Sequence, residues 1–278
     1  EIMPSLVGSE MCIRDRKRID EVFMPDIRYA QNENVDRGDL RMQVIERGTS
    51  TPIDDAKISI SYSGDPDSTV EEVNTDASGM SETLTLDTPP LELSMQPSEV
   101  QPYAEYTIQV TAKGYRPINI SGIEVFSGQL SLQEIRMDAE EATESMTDNI
   151  VIPAHTLFAE YPPKIAEAEI KPVTETGEIV LSRVVIPEYV IVHDGAPSDP
   201  TARDYYVRYR DYIKNVASSE IYSTWPDATI RANVLAIMSF TLNRVYTEWY
   251  RNKGYSFTIT SSTAYDQKFM YGRNIYQS

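Results

Sequence analysis

The hydrophobic period of this chain changes once, and that change limits what it can fold into. As far as Met137, apolar and polar residues alternate in short runs: Leu40-Arg41-Met42-Gln43-Val44-Ile45, Ala56-Lys57-Ile58-Ser59-Ile60, Thr83-Leu84-Thr85-Leu86, Tyr106-Thr107-Ile108-Gln109-Val110 and Ile118-Asn119-Ile120. Period two with Thr, Val and Ile, punctuated by Gly, Pro, Asp and Ser clusters, describes half-buried strands joined by turns. From Tyr205 the spacing becomes helical. Tyr209, Tyr212, Ile213, Val216 and Ala217 share one face of a first helix, and Ile230, Val234, Ile237, Met238, Thr241, Leu242, Val245 and Trp249 recur every three or four residues in a second. Thr224 and Asp227 have capping-box spacing, Pro226 suits a first turn and Gly254 ends the run, so the second helix is expected from Pro226 to about Asn252. A strand over Tyr255–Thr260 should follow. The fold class expected is multidomain: an N-terminal all-β sandwich and a C-terminal, incomplete α/β (α+β) domain with one long central helix.

Charge divides the chain in the same places. Residues 17–137 carry 21 acidic and 10 basic side chains, 138–186 carry 10 and 3, and 187–278 carry 9 and 10. The acidic stretch from Asp138 with Pro153, Pro162, Pro163, Pro172 and Pro187 reads as a semi-rigid linker. A net charge of −18 opposes a nucleic-acid partner, which needs a Lys/Arg footprint, and no apolar run reaches the length of a membrane span. Residues Leu6 to Asp15 match the translation of a transposon-end oligonucleotide used in sequencing libraries. Residues 1–16 are therefore set aside as an assembly artefact, and with them Cys12, the only cysteine. The domains expected are then a lead over 17–37, a sandwich over 38–137, the linker over 138–186 and the helical domain over 187–278. The sequence is read as a piece of a longer protein at both ends.

Two resemblances follow. Thr51-Pro52-Ile53 with Ala56, Asn74-Thr75-Asp76-Ala77-Ser78-Gly79, and Ala112-Lys113-Gly114-Tyr115 resemble the turn placement of carboxypeptidase regulatory-like, transthyretin-like modules. Asp211-Tyr212-Ile213-Lys214-Asn215-Val216-Ala217-Ser218-Ser219-Glu220, then Trp225-Pro226, then Ile230-Arg231-Ala232-Asn233-Val234-Leu235-Ala236 resemble the core of the stage II sporulation protein D family. Thr263-Ala264-Tyr265-Asp266-Gln267-Lys268-Phe269 resembles its Gln-x-Tyr strand. The arrangement as a whole is similar to clostridial spore cortex-lytic enzymes. The resemblance implies a peptidoglycan lytic transglycosylase in the cell wall or spore envelope of a Gram-positive bacterium, acting on glycan strands without cofactor or metal.

On that reading Glu220 is the catalytic acid and base. One carboxyl suffices when the sugar's own 6-hydroxyl attacks the anomeric carbon, and the alternative is a solvated helix-end residue. Glu220 is expected at the mouth of a groove lined by Tyr222 or Trp225, with Gln267 on the facing strand and Asp266 beside it as glycan hydrogen-bonders. Arg231, expected to bind substrate, keeps the charge of the family's Lys, whereas Met238 stands where the family has Arg, and a thioether cannot replace a guanidinium. The competing class is a non-catalytic peptidoglycan-binding or amidase-enhancing envelope protein. His193 and His155 are read as a turn and a linker histidine, and Asp65-Pro66-Asp67 as a solvated loop rather than a calcium site.

Overall fold

The computed structural model describes residues 35–98, 100–140, 147–155, 157 and 183–277. Residues 1–16 and most of 17–37 and of 141–182 lie outside that set. Nine strands in the front half are β1 (Asp36–Glu46), β2 (Lys57–Tyr62), β3 (Asp65–Asn74), β4 (Leu84–Thr88), β5 (Ala104–Thr111), β6 (Ile118–Val125), β7 (Leu130–Met137), β8 (Asp148–Val151) and, returning from the chain's far end, β12 (Ile275–Gln277). They form two sheets, β12-β7-β1-β4 and β3-β2-β5-β6-β8. The alternation in the sequence places Leu40, Met42 and Val44 on one face of β1, where they share a core with Ile58 and Ile60 of β2 and Ile108 and Val110 of β5. Each of the five alternating runs falls on a strand, and the N-terminal half is a β-sandwich.

The linker expectation is corrected in part. Within 138–186, β8 pairs in parallel with β6 through Ile118↔Asp148 to Ser121↔Val151. Ile152 then crosses β6 at Gly122, where a Cβ would lie 2.2 Å from the Ile152 carbonyl oxygen, and φ is +83°. This segment is part of the sandwich. Asp65–Asp67 belongs to β3, an exposed edge strand, and no group of three or more His, Cys, Asp or Glu able to hold a metal occurs among the described residues.

The C-terminal half contains a small sheet, β10-β9-β11, made of β9 (Tyr189–His193), β10 (Asp204–Arg208) and β11 (Ile259–Thr260), and two helices, α1 (Tyr209–Glu220) and α2 (Asp227–Tyr246). Val190, Val192 and Ile259 of the sheet pack on Tyr212 and Val216 of α1 and Ile237 of α2. Several boundaries differ from expectation. Residues 204–208 pair antiparallel with β9, so the first helix starts only at Tyr209. Pro226 is the N-cap of α2 and no side chain caps it, so the Thr224/Asp227 box does not form. The strand after Gly254 is two residues long, and 263–269 is not a strand.

α2 also ends six residues early, for a local reason. The Trp249 N–H donates to the Arg244 carbonyl and the Glu248 N–H to the Val245 carbonyl, a Schellman closure with Glu248 in the left-handed region at φ 49°. Arg244 is held between the Phe240 and Trp249 rings, its guanidinium carbon 4.6 Å from each centroid, which draws Trp249 back over the last turn.

The two halves meet at a buried charge. Arg273, two residues before β12, donates from Nη1 to Glu124 Oε1 of β6 at 2.7 Å and from Nη2 to Oε2, and both side chains are fully buried. Arg273 Nη2 also donates to the Ser218 carbonyl of α1 at 2.8 Å and lies 3.0 Å from His155 Nδ1. Asn274 seals the contact by donating to the Glu124 carbonyl at 2.9 Å, and β12 adds itself to β7. Burial alone would raise the Glu124 pKa, but Arg273 and His155 outweigh it and hold it at about 2. Burial pushes His155 down, against Glu124, and keeps it neutral.

Three predictions follow from this packing. Glu124→Gln leaves a buried guanidinium without its counter-charge and should cost about 3–5 kcal/mol in denaturant unfolding at pH 7. Both folded pKa values are depressed, so both groups stabilise the fold above their unfolded values. Stability should therefore decline as pH falls below about 6.5, where His155 charges in the unfolded chain while staying neutral in the fold, and further from about 4.3 toward about 2, where the unfolded chain takes up the Glu124 proton first. Glu248→Gly removes left-handed strain at the end of α2 and should raise stability by up to about 1 kcal/mol, read in the same titrations.

Candidate functional site

Glu220 is the last residue of α1 and is half-buried. Its Oε1 accepts the Lys268 backbone N–H at 2.8 Å. Two other α1 side chains reach the same stretch. The Asn215 amide pairs reciprocally with the Met270 backbone, donating to its carbonyl at 2.8 Å and accepting its N–H at 3.0 Å, and the Tyr212 hydroxyl donates to Gln267 Oε1 at 3.2 Å. Tyr212, Asn215 and Glu220 thus fasten residues 267–270 along one side of the helix. Lys268, half-buried, has its pKa lowered by burial and by Arg273, against the pull of Glu124 and Glu220.

Gln267 is buried and fully used. Besides the Tyr212 contact, its Oε1 lies 2.8 Å from Thr241 Oγ1, and its Nε2 donates to the Ile237 carbonyl of α2 at 3.1 Å. Asp266, beside it, is a node for three elements. Its Oδ1 accepts Arg244 Nε at 2.7 Å, and its Oδ2 accepts the Tyr250 hydroxyl at 2.6 Å, the Thr260 N–H at 2.9 Å and the Thr260 hydroxyl at 2.7 Å. Burial, then this carboxylate, raises the Tyr250 pKa. The expectation that Asp266 and Gln267 face a glycan is corrected. Both are buried polar groups whose partners are protein, which is how such groups become affordable inside a fold.

Tyr222 borders a cleft beside α1, as expected of a groove residue, but it and the half-buried Trp225 are also packed into the seam with the sandwich. Tyr222 is 2% exposed and packs with Tyr103 and Phe126 of the sandwich, its ring centroid 5.2 Å from that of Phe126 and 5.0 Å from that of His155. The Trp225 indole N–H donates to the Ser94 carbonyl at 3.1 Å, in the short 3-10 turn Leu91–Ser94. These aromatics cement the two halves. Arg231 is exposed on α2, and Met238 packs half-buried against the C-terminal core. Arg244, the other cation of the helix, is committed to Asp266.

Two clefts of about 190 Å³ each occur in the C-terminal half. One lies between α1 and the start of α2, lined by Ile213, Lys214, Ala217, Tyr222, Ile230 and Val234 among others. The second is bordered by Tyr189, Glu248, Trp249, Arg251 and Phe257. Glu220 lines neither. A carboxylate beside a short apolar cleft, tied to a backbone N–H, supplies an anchor more readily than a proton donor aimed at a sugar oxygen.

The reading of His155 as a linker histidine is corrected, since it is fully buried against Arg273 and Glu124, and no role was read for Glu124, Arg273 or Asn215. One signal for Glu124 was present: a lone carboxylate inside the apolar run Gly122-Ile123-Glu124-Val125-Phe126, where an unpaired charge is not tolerated. Nothing local to Arg273 named its partner, 149 residues away.

The anchor roles carry a measurable expectation. Gln267→Ala and Asp266→Asn should each destabilise the fold by about 1–3 kcal/mol because buried donors lose their acceptor, whereas Arg231→Ala, on the exposed face of α2, should stay within about 0.5 kcal/mol. Urea unfolding of the variants checks both.

No family model and no curated protein matches this chain. Among solved structures it is similar to the Bacillus anthracis TIE protein, at 15% identity and a TM-score of 0.26, over 37% of this chain and 17% of that one. It is similar to Klebsiella pneumoniae 5-hydroxyisourate hydrolase, at 16% identity and a TM-score of 0.25, over 37% of this chain and 92% of that one. It is also similar to the minor pilin of Streptococcus agalactiae, at 11% identity and a TM-score of 0.28, over 40% and 48%. The chain thus spans about a sixth of the first of these and half of the third. Similarity this distant carries no argument about this chain. Among the described residues no helix is long and apolar enough to cross a membrane.

Proposed function

We propose that this chain is a cell-wall protein that associates with peptidoglycan, or supports an amidase acting on it, without itself cutting the glycan. The resemblance of residues 211–236 and 263–269 to the sporulation protein D core supplies the wall as the partner class. One observation favours the non-catalytic branch: Glu220 and its expected companions Tyr222, Trp225, Asp266 and Gln267 are engaged in holding the protein together. Met238 at the family's Arg position points the same way, since a thioether packed half-buried in the core cannot orient a glutamate as a guanidinium does.

The lytic transglycosylase reading is the second branch, favoured by the retained Ser219-Glu220 to Trp225-Pro226 spacing and by the half-exposure of Glu220. The two branches separate in one experiment. The chain and its Glu220→Gln variant are incubated with purified peptidoglycan, sedimented, and the supernatant examined by mass spectrometry for 1,6-anhydro muropeptides. Both proteins should sediment with the wall and release no anhydro product. Anhydro product from the wild type, reduced at least about 10²-fold in Glu220→Gln, would establish the enzyme. Failure of the wild type to sediment would remove the wall from the proposal.

A further inference from the structure

His193 ends β9 and is 6% exposed, its ring stacked on Phe257 at 4.4 Å and 15°. Its Nδ1 lies 2.7 Å from Asp204 Oδ1, and its Nε2 lies 3.1 Å from both the Ala196 and the Asp199 carbonyl oxygens. All three neighbours are acceptors. A neutral imidazole has one N–H, so a lone pair must face either the carboxylate or the two carbonyls, whereas the doubly protonated ring donates on both sides.

We propose that His193 is a proton-operated clasp on residues 194–203, closed when the ring is doubly protonated and released when it is neutral. The loop depends on it because it has few other ties. Its ends are joined by the Asp194 N–H to the Arg203 carbonyl, Gly195 donates back to the His193 carbonyl, Asp199 donates to the Ala196 carbonyl, and Ala202 makes a long 3.4 Å contact to the Asp199 carbonyl. Pro197 and Pro200 have no N–H to contribute. Asp199 spends its carboxylate on the Thr201 N–H and hydroxyl. The charged groups around the ring are Asp194 and Asp199 of the loop and Arg203 and Asp204 at the start of β10. From the third side the neighbours are Phe257 and Ser256, whose hydroxyl lies 3.5 Å from Asp204 Oδ2. Phe257 also borders the cleft shared with Tyr189 and Trp249, which puts the clasp one ring away from it.

Amide hydrogen exchange of the whole chain, corrected for intrinsic rates and followed over residues 194–203 from about pH 5 to about pH 8, tests the clasp. Protection of the loop should fall about tenfold or more across that range, while α1 stays protected. Asp204→Asn, which removes the carboxylate facing Nδ1, should reduce the fall over this range, and His193→Gln should abolish its pH dependence. Equal loop protection at both ends of the range in the wild type would overturn the proposal, as would an unchanged profile in His193→Gln. If His193→Gln does not fold, the wild-type profile and its reduction in Asp204→Asn decide.

Discussion

The fully buried pair of Arg273 and Glu124 is the contact on which the remaining architecture depends. A guanidinium and a carboxylate removed from water are tolerated only where nearly every remaining donor and lone pair is met. Here the Ser218 carbonyl, the Tyr276 hydroxyl and His155 surround Arg273 Nη2, while Arg273 Nε and His155 Nε2 are buried without a hydrogen-bond partner among the described residues. Each comes from a different part of the chain: Ser218 from α1, Tyr276 from the last strand, His155 from the stretch after β8. Satisfying one charge therefore positions the helical half, the C-terminal strand and the 148–155 segment against the sandwich at once. A well-packed apolar plug could hold the halves together as firmly, but it would not dictate their orientation in the same way.

The same economy explains the C-terminal half. α1 carries what resembles a catalytic motif, yet Tyr212, Asn215 and Glu220 spend their polar atoms on residues 267–270. Asp266 then joins α2 to β11 through Arg244 and Thr260. A short sheet and two helices form a small core, and polar side chains aimed at backbone groups supply the definition that area alone would not.

Much of the sandwich was legible because its strands bury one face. β1, β2, β4, β5 and β6 announce themselves by alternation, and their turns by Gly, Pro and Asp. β7 was missed for an instructive reason. Its buried positions include Ser131 and Gln133, whose side chains bond to the Glu124 and Gly272 carbonyls, so polar residues occupy the phase where apolar ones are expected. β3 was missed because it is an exposed acidic edge, a device that discourages further strand pairing. The helix faces were read correctly, but the end of α2 was not, because a Glu in left-handed conformation gives no warning where a Gly would. At the site, residue types were legible and their directions were not: whether Gln267 or Tyr222 faces solvent or core depends on partners far along the chain.

The claim that one buried charge pair makes the two halves a single unit is tested most directly by following unfolding with two probes. Trp225 sits at the seam on the Ser94 carbonyl, so the probes are residue-resolved amide NMR signals, those of α1 and α2 reporting the helical half and those of β2 and β5 the sandwich. The account predicts coincident transitions in urea for the wild type and their separation in Arg273→Met. Separate transitions already in the wild type, or coincidence that survives Arg273→Met, would contradict it.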